Sequence, residues 1–227
     1  MNRIVFKSDA KLSTVNSQLS ANLQMLSIPT FPESRHEILQ SLADYSDREL
    51  VRLHQLHPEQ GKFFATLFYR YGEIVHSVVQ HAVEFQAQAD YLFALSWRQI
   101  FTELQQVQLS ADSDATNWQN WLIDITGSKI AHTDMPPPAQ IRYQLQAAPP
   151  PLWCYLDRGL DRLSPRSRLI VVMTQNFKWD EQRISAYLQG EGERVPVAEV
   201  STYLAAGYQQ LEAELPQDIR DIYLVSG

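Results

Sequence analysis

The sequence predicts an all-α protein, two small helical blocks joined by a proline-rich linker. Only 8 of its 227 residues are glycine and strand-like runs are scarce, which favours helices over a sheet-rich fold. Apolar residues recur at helical spacing along two long stretches. Between them, Pro136–Pro138 and Pro149–Pro151 put six prolines into sixteen positions. Proline removes backbone donors and disfavours helix in the residue before it.

Residues 1–43 are rich in Ser, Asn, Gln and Leu and contain Pro29 and Pro32. They read as a loosely ordered N-terminal arm, either a disordered tail or one carrying a short amphipathic helix around Leu19–Leu26. The first block spans 44–133. Ser46, with Glu49 three residues on, forms a capping-box pattern and predicts a helix start. Leu50, Val51, Leu53 and Leu56 follow at helical spacing. Phe63 to Val79 forms a longer apolar stripe, and Leu92 to Leu104 forms another. A polar break at Ser110–Ala115 precedes a fourth helix with Trp118, Trp121, Leu122, Ile123 and Ile125.

The linker covers 134–152 and is expected to be semi-extended, with helix broken throughout Pro136–Pro151. The second block covers 153–227. Leu156, Leu160 and Leu163 mark one short helix. Ser164-Pro165 starts another, with Ser164 as N-cap and proline in the first turn. Trp179–Leu188 and Val197–Leu215 read as a third and a fourth helix, joined across Gly190-Glu191-Gly192-Glu193. Two helices joined by a glycine-bearing turn are the raw form of a helix-turn-helix. This turn is longer than usual.

Bulk properties narrow the function. The hydrophobic fraction of 44% permits a packed core, and the net charge of -7 means that nucleic-acid binding would need a local basic patch. Cys154 is the one cysteine, which excludes an internal disulfide or a cysteine-cluster metal site and fits a reducing compartment. No apolar signal-peptide core follows the first residues, and no apolar stretch is long enough to span a bilayer. The expected location is cytoplasmic. There is no P-loop, dinucleotide-binding glycine loop, catalytic carboxylate pair or Gly-x-Ser-x-Gly. The chain therefore reads as a non-enzyme with no cofactor and no metal.

The order of motifs resembles the sigma-70 family of RNA polymerase sigma factors, specifically the two-domain, extracytoplasmic-function type. Ser46-Asp47-Arg48-Glu49-Leu50-Val51, then Phe64, Leu67-Phe68 and Arg70-Tyr71, is similar to the opening of the family's promoter-melting domain (region 2). Ala89-Asp90-Tyr91-Leu92 through Trp97 and Phe101 looks like its polymerase-facing helix. Trp118…Trp121-Leu122 resembles its Phe-x-x-Trp-Leu segment. In the second block, Leu160…Leu163-Ser164-Pro165-Arg166…Arg168 is similar to the start of the domain that reads the upstream promoter element (region 4). Trp179-Asp180-Glu181…Ile184…Leu188 sits where the first helix of its helix-turn-helix lies. Val200…Leu204…Leu211 resembles the apolar skeleton of its recognition helix. The match covers roughly residues 46–215, and its weight lies in the ordered set rather than in any one motif.

The resemblance implies an initiation factor that binds core RNA polymerase and takes part in promoter recognition, with an anti-sigma or other regulatory protein as a further partner. It points to Leu92, Leu95 and Arg98 for polymerase, and to Arg168, Arg194, Ser201, Thr202, Tyr203 and Gln210 for DNA. Departures from the family pattern support an alternative, a degenerate sigma fold that has lost DNA readout and works as a protein-interaction module. Where the family presents acidic and amide groups to polymerase, this chain has Tyr91, Ala94 and Leu95. Where the family's recognition helix alternates Arg and Lys, this chain has no cation from Glu199 to Pro216. Phosphate contacts by Lys and Arg supply much of DNA affinity, so DNA binding by the protein alone is expected to be weak.

Some residue types carry blander readings. His54, His57, His76 and His81 lack a ligand-like partner set and are expected to face solvent. Cys154 is expected as a buried small apolar residue. Trp97, Trp118 and Trp121 follow the apolar periodicity and are expected in the core rather than on DNA. Trp179 is expected to staple its helix. Arg168 could meet phosphate or pair with Asp157 or Asp161.

Overall fold

The computed structural model describes residues 30–108 and 115–224. It is all-helical, and no strand occurs among the described residues. The helices are α1 Glu37–Gln40, α2 Asp47–Leu56, α3 Lys62–Gln80, α4 Gln86–Glu103, α5 Ala115–Ala131, α6 Pro150–Arg162, α7 Pro165–Phe177, α8 Glu181–Gly190, α9 Val197–Glu214 and α10 Gln217–Tyr223. Short 3-10 turns lie at Pro32–Arg35 and Pro138–Gln140. The expected helix at Leu19–Leu26 lies outside the described residues.

Local chemistry sets the helix starts. The Ser46 side chain accepts from the Glu49 N–H, and the Glu49 carboxylate accepts from the Ser46 N–H at 2.9 Å, which completes the capping box of α2. Ser164 Oγ accepts from the Ser167 N–H at 3.1 Å, with Pro165 in the first turn of α7. Asp180 caps α8 through the Arg183 N–H at 2.8 Å, so this helix starts one residue beyond the cap and leaves Trp179 outside it. Helix α6 begins at Pro150, within the expected linker, because a first-turn proline gives up an N–H that has no helical partner anyway.

Residues 30–43 are packed rather than loose. Phe31, Leu39 and Leu42 are buried, and Phe31 meets the rings of Phe68 and Tyr69 edge-on. The linker is also tied down. Leu145 is buried, and Tyr143 packs on Trp153 and donates its hydroxyl hydrogen to the Ala148 carbonyl at 2.6 Å.

One buried apolar cluster runs through α2–α5, where Phe64, Phe68, Phe93, Trp97 and Phe101 interlock, and continues into α6 through Leu152, Cys154 and Tyr155 and into α10 through Ile219. The second block is therefore not packed by itself alone, because its first and last helices complete the core of the first. A separate cluster of Ile170, Met173, Ile184, Leu188, Val195 and Val200 holds α7, α8 and α9 together. Gly207 allows α9 to cross α7 closely, since a Cβ there would stand 2.9 Å from Val171 Cγ2. That proximity offsets the roughly 1 kcal/mol that glycine costs inside a helix.

Candidate functional site

The three residues expected to face polymerase do not form one exposed patch. Leu92 is 1% exposed and belongs to the core. Leu95 is half-buried. Arg98 is exposed, but its guanidinium pairs with Asp157 at 2.7 Å and lies 5.8 Å from the Trp153 ring centroid. Trp153 and Asp157 belong to α6, which lies across this part of α4. Phe101 and Tyr155 meet edge-on at 5.1 Å beneath the ion pair. Burial raises the Asp157 carboxyl above its usual range and Arg98 opposes that shift.

The expected DNA-facing residues are spread over α7, the α8–α9 turn and the length of α9. Arg168 pairs with Asp161 at 2.9 Å, one of its two expected partners. Arg166 pairs with Glu193 at 2.7 Å and donates to the Tyr203 hydroxyl at 3.2 Å, so Tyr203 is half-buried and engaged within the fold. Arg183 stacks on Trp179, 4.3 Å from the ring centroid. Arg162 pairs with Glu214. Arg194 is exposed and makes no ion pair among the described residues, but Glu191 and Glu193 share its turn. On α9, Ser201, Thr202 and Gln210 are exposed. Ser201 donates to the Ala198 carbonyl at 3.4 Å, and Gln210 donates to the Arg162 carbonyl at 3.5 Å. Helix α9 thus offers no cation, and Arg166 and Arg168 beside it are already paired.

Other expected roles divide. Trp97 and Trp118 are buried, and Trp121 stacks on Trp118 with centroids 4.7 Å apart, as expected for core residues. Cys154 is buried and burial raises its thiol pKa. Histidine placement corrects the sequence reading, because His54 and His76 are buried. His54 sits on the inward face of α2 against Phe64 and Phe101, and Gln105 Nε2 meets its Nε2 at 2.7 Å. Its Nδ1 has no partner among the described residues. Burial, then the charge of Arg158, lowers its pKa to about 4. His76 is lowered too, by burial.

The feature that sequence reasoning missed is a groove between α6, α7 and α9 with a volume of about 470 Å³. Leu156, Leu160, Val171, Val172, Leu211 and Leu224 supply its apolar lining, with Glu212 and Tyr208 among its polar residues. Trp153 and Asn176 also line an adjoining hollow of about 630 Å³ that reaches Tyr143 and Phe177. Phe177 and Leu224 are 59% and 53% exposed along these hollows. The only sequence signal is that Val171-Val172 and Leu224 exceed what one buried stripe requires.

Among the described residues no helix is long and apolar enough to cross a membrane, and no three His, Cys, Asp or Glu side chains converge as a metal site requires. No family model, no curated protein and no solved structure matches this chain.

Proposed function

We propose that this chain acts by binding protein, as a sigma-like factor associated with core RNA polymerase that does not read promoter DNA by itself. The observation that carries this is a contrast around α9. The helix in the recognition position has no cation between Glu199 and Pro216, and Arg166 beside it is held by Glu193. On its other side the same helix lines an open apolar groove. Few counterions would be released on DNA contact, whereas a concave apolar surface rimmed by Tyr, Trp and Asn suits an amphipathic helix of a protein partner. The sigma resemblance implies the polymerase flap as that partner.

The test is recovery of purified core polymerase on the tagged full-length chain. Val172→Asp and Leu224→Asp put charge in the groove, and Leu224 is exposed enough for the fold to tolerate the change. Recovery with the unmodified chain, lost with these two variants, supports the reading. No recovery with either removes it.

A second reading, promoter recognition in the company of polymerase, is favoured by Arg194 and Lys178. Both are exposed at the two ends of α8 and make no ion pair among the described residues. Polymerase held nearby would raise the effective concentration of DNA and offset weak contacts. A promoter-dependent transcription assay with and without the chain separates the two readings.

A further inference from the structure

The hollow of about 630 Å³ beside the apolar groove is used neither by the core nor by the polymerase reading. It is assembled from distant parts of the chain. Tyr91 comes from α4, Gln140 and Arg142 from the linker, Trp153 from α6, and Asn176 and Phe177 from the end of α7. The Tyr143 ring lies 6.3 Å from Tyr91 and 5.3 Å from Trp153, so these three rings make a continuous aromatic wall. The linker side is held in place, because Tyr143 donates to the Ala148 carbonyl at 2.6 Å and Gln88 donates to the Pro136 carbonyl at 3.0 Å. The side chains of Gln140, Arg142 and Asn176 are exposed and make no hydrogen bond or ion pair among the described residues. No Asp or Glu lines this hollow. The apolar groove, by contrast, carries Asp157 and Glu212, and the hollows beside Tyr69 and Pro58 carry Glu73 and Glu59. Asp157, one turn beyond Trp153 on α6, is already paired with Arg98 at 2.7 Å. A chain of net charge -7 thus sets a free guanidinium next to open aromatic faces and keeps carboxylates out of the lining.

We propose that this hollow binds a nucleoside phosphate, with the base against the rings of Tyr91, Trp153 and Phe177 and the phosphate on Arg142. Each part of such a ligand answers one part of the lining. A base is a flat π system, and aromatic side chains take it by stacking. The amides of Gln140 and Asn176 offer donors and acceptors together, which the edge of a base requires. A guanidinium matches phosphate oxygens two at a time and stays charged at any physiological pH. The volume falls within the range of small-molecule sites, roughly 300–1,000 Å³, and suits one nucleotide. An uncharged aromatic ligand would leave Arg142 without a partner, and inorganic phosphate would leave the rings uncovered. A nucleotide engages both. The site needs no movement of the fold, and it stands whether or not polymerase is the protein partner.

Calorimetric titration of the full-length protein with ATP tests this. Saturable binding with a Kd below about 1 mM is expected, and inorganic tripolyphosphate should bind at least about tenfold more weakly because it cannot stack. Arg142→Ala should weaken ATP by about tenfold or more, through loss of the charge-assisted contact. Phe177→Ser should weaken it by about fivefold or more, through loss of one stacking face. Both side chains are exposed, so the fold should tolerate either change, and unchanged thermal midpoints would verify that. Arg35→Ala removes an exposed cation outside the hollow and should leave ATP binding as it was. Absence of saturable ATP binding up to about 5 mM overturns the proposal. So does an equal loss in Arg35→Ala, which would mean attraction by general charge, or tripolyphosphate binding as tight as that of ATP, which would mean that the rings take no base. A short single-stranded oligothymidylate that binds more tightly than ATP, and loses affinity in the same two variants, would assign the hollow to a nucleic-acid strand and overturn a free nucleotide as its ligand.

Discussion

Gly61 and Ile219 stand so close that a Cβ on Gly61 would lie 2.1 Å from Ile219 Cγ1. The Gly61 backbone is right-handed helical, φ -82°, so any residue could adopt it. Glycine is required here by contact rather than by conformation. Gly61→Ala should therefore destabilise the protein by about 1–3 kcal/mol, the usual cost of overpacking. Ile219→Ala alone should also destabilise, through the cavity it leaves. In the double variant the smaller side chain makes room for the new methyl, so the two losses should sum to less than their separate values. Urea midpoints of the four proteins check this, and strict additivity would show that the two residues do not compete for space.

Stability should fall on mild acidification. An unfolded histidine titrates near 6.5, whereas buried His54 is lowered to about 4. Between those values the unfolded chain takes up a proton that the folded chain refuses. The His54 contribution is thus complete above about pH 6.5, declines as pH falls through the window, and levels off below about 4. Its full size is about 3 kcal/mol, and His76, lowered by burial, acts in the same direction. Denaturation midpoints at pH 7.5, 6 and 5 should show this slope, and His54→Leu should flatten it. An equal slope in the variant would assign the acid sensitivity elsewhere.

DNA binding by the full-length protein should be weak at physiological salt and should respond to added cations on α9. Ser201, Ala205 and Gln209 are exposed and spaced four apart, close to one face. Arginine at all three should tighten duplex binding and steepen its dependence on log salt by up to about three units. Glu193→Gln, which leaves Arg166 without its carboxylate partner, should act in the same direction and more weakly. Titration of labelled duplex at two salt concentrations reads both effects. Tight, salt-sensitive binding by the unmodified protein would contradict the reading of this face.

Lys178 closes α7 in the left-handed region, φ 53°, and is the one non-glycine residue with positive φ among the described residues. A side chain there costs about 1 kcal/mol relative to glycine. Lys178→Gly should accordingly raise the thermal midpoint by a few degrees. A lower midpoint would mean that the lysine stem contributes packing that outweighs the strain.

Much of the candidate site was partly legible. The missing cations of α9 are a fact of composition, readable without coordinates. That Arg166 and Arg168 are tied to Glu193 and Asp161 is not, because each pairing depends on how two helices or a helix and a turn meet. The groove was hidden for the same reason, since its lining comes from three helices and a C-terminal residue. Helix α10 had a faint signal, Ile219, Ile222 and Tyr223 at helical spacing after Pro216, but it is too short to stand out from the end of α9.

The sequence by itself determined what short-range forces determine. It set where helices start, at Ser46 and Ser164, where prolines interrupt them, and which stripes turn inward, because capping, proline geometry and periodicity act within a few residues. Tertiary structure decided the rest. It buried His54, which looked like a surface residue on a polar-flanked helix, by packing the rings of Phe64 and Phe101 against it. It placed Leu92 in the core and paired Arg98 of α4 with Asp157 of α6. It joined the two expected blocks through Asp218 and Gly61, which are 157 positions apart. Such contacts form only when the whole chain has collapsed around one core, so no local pattern encodes them.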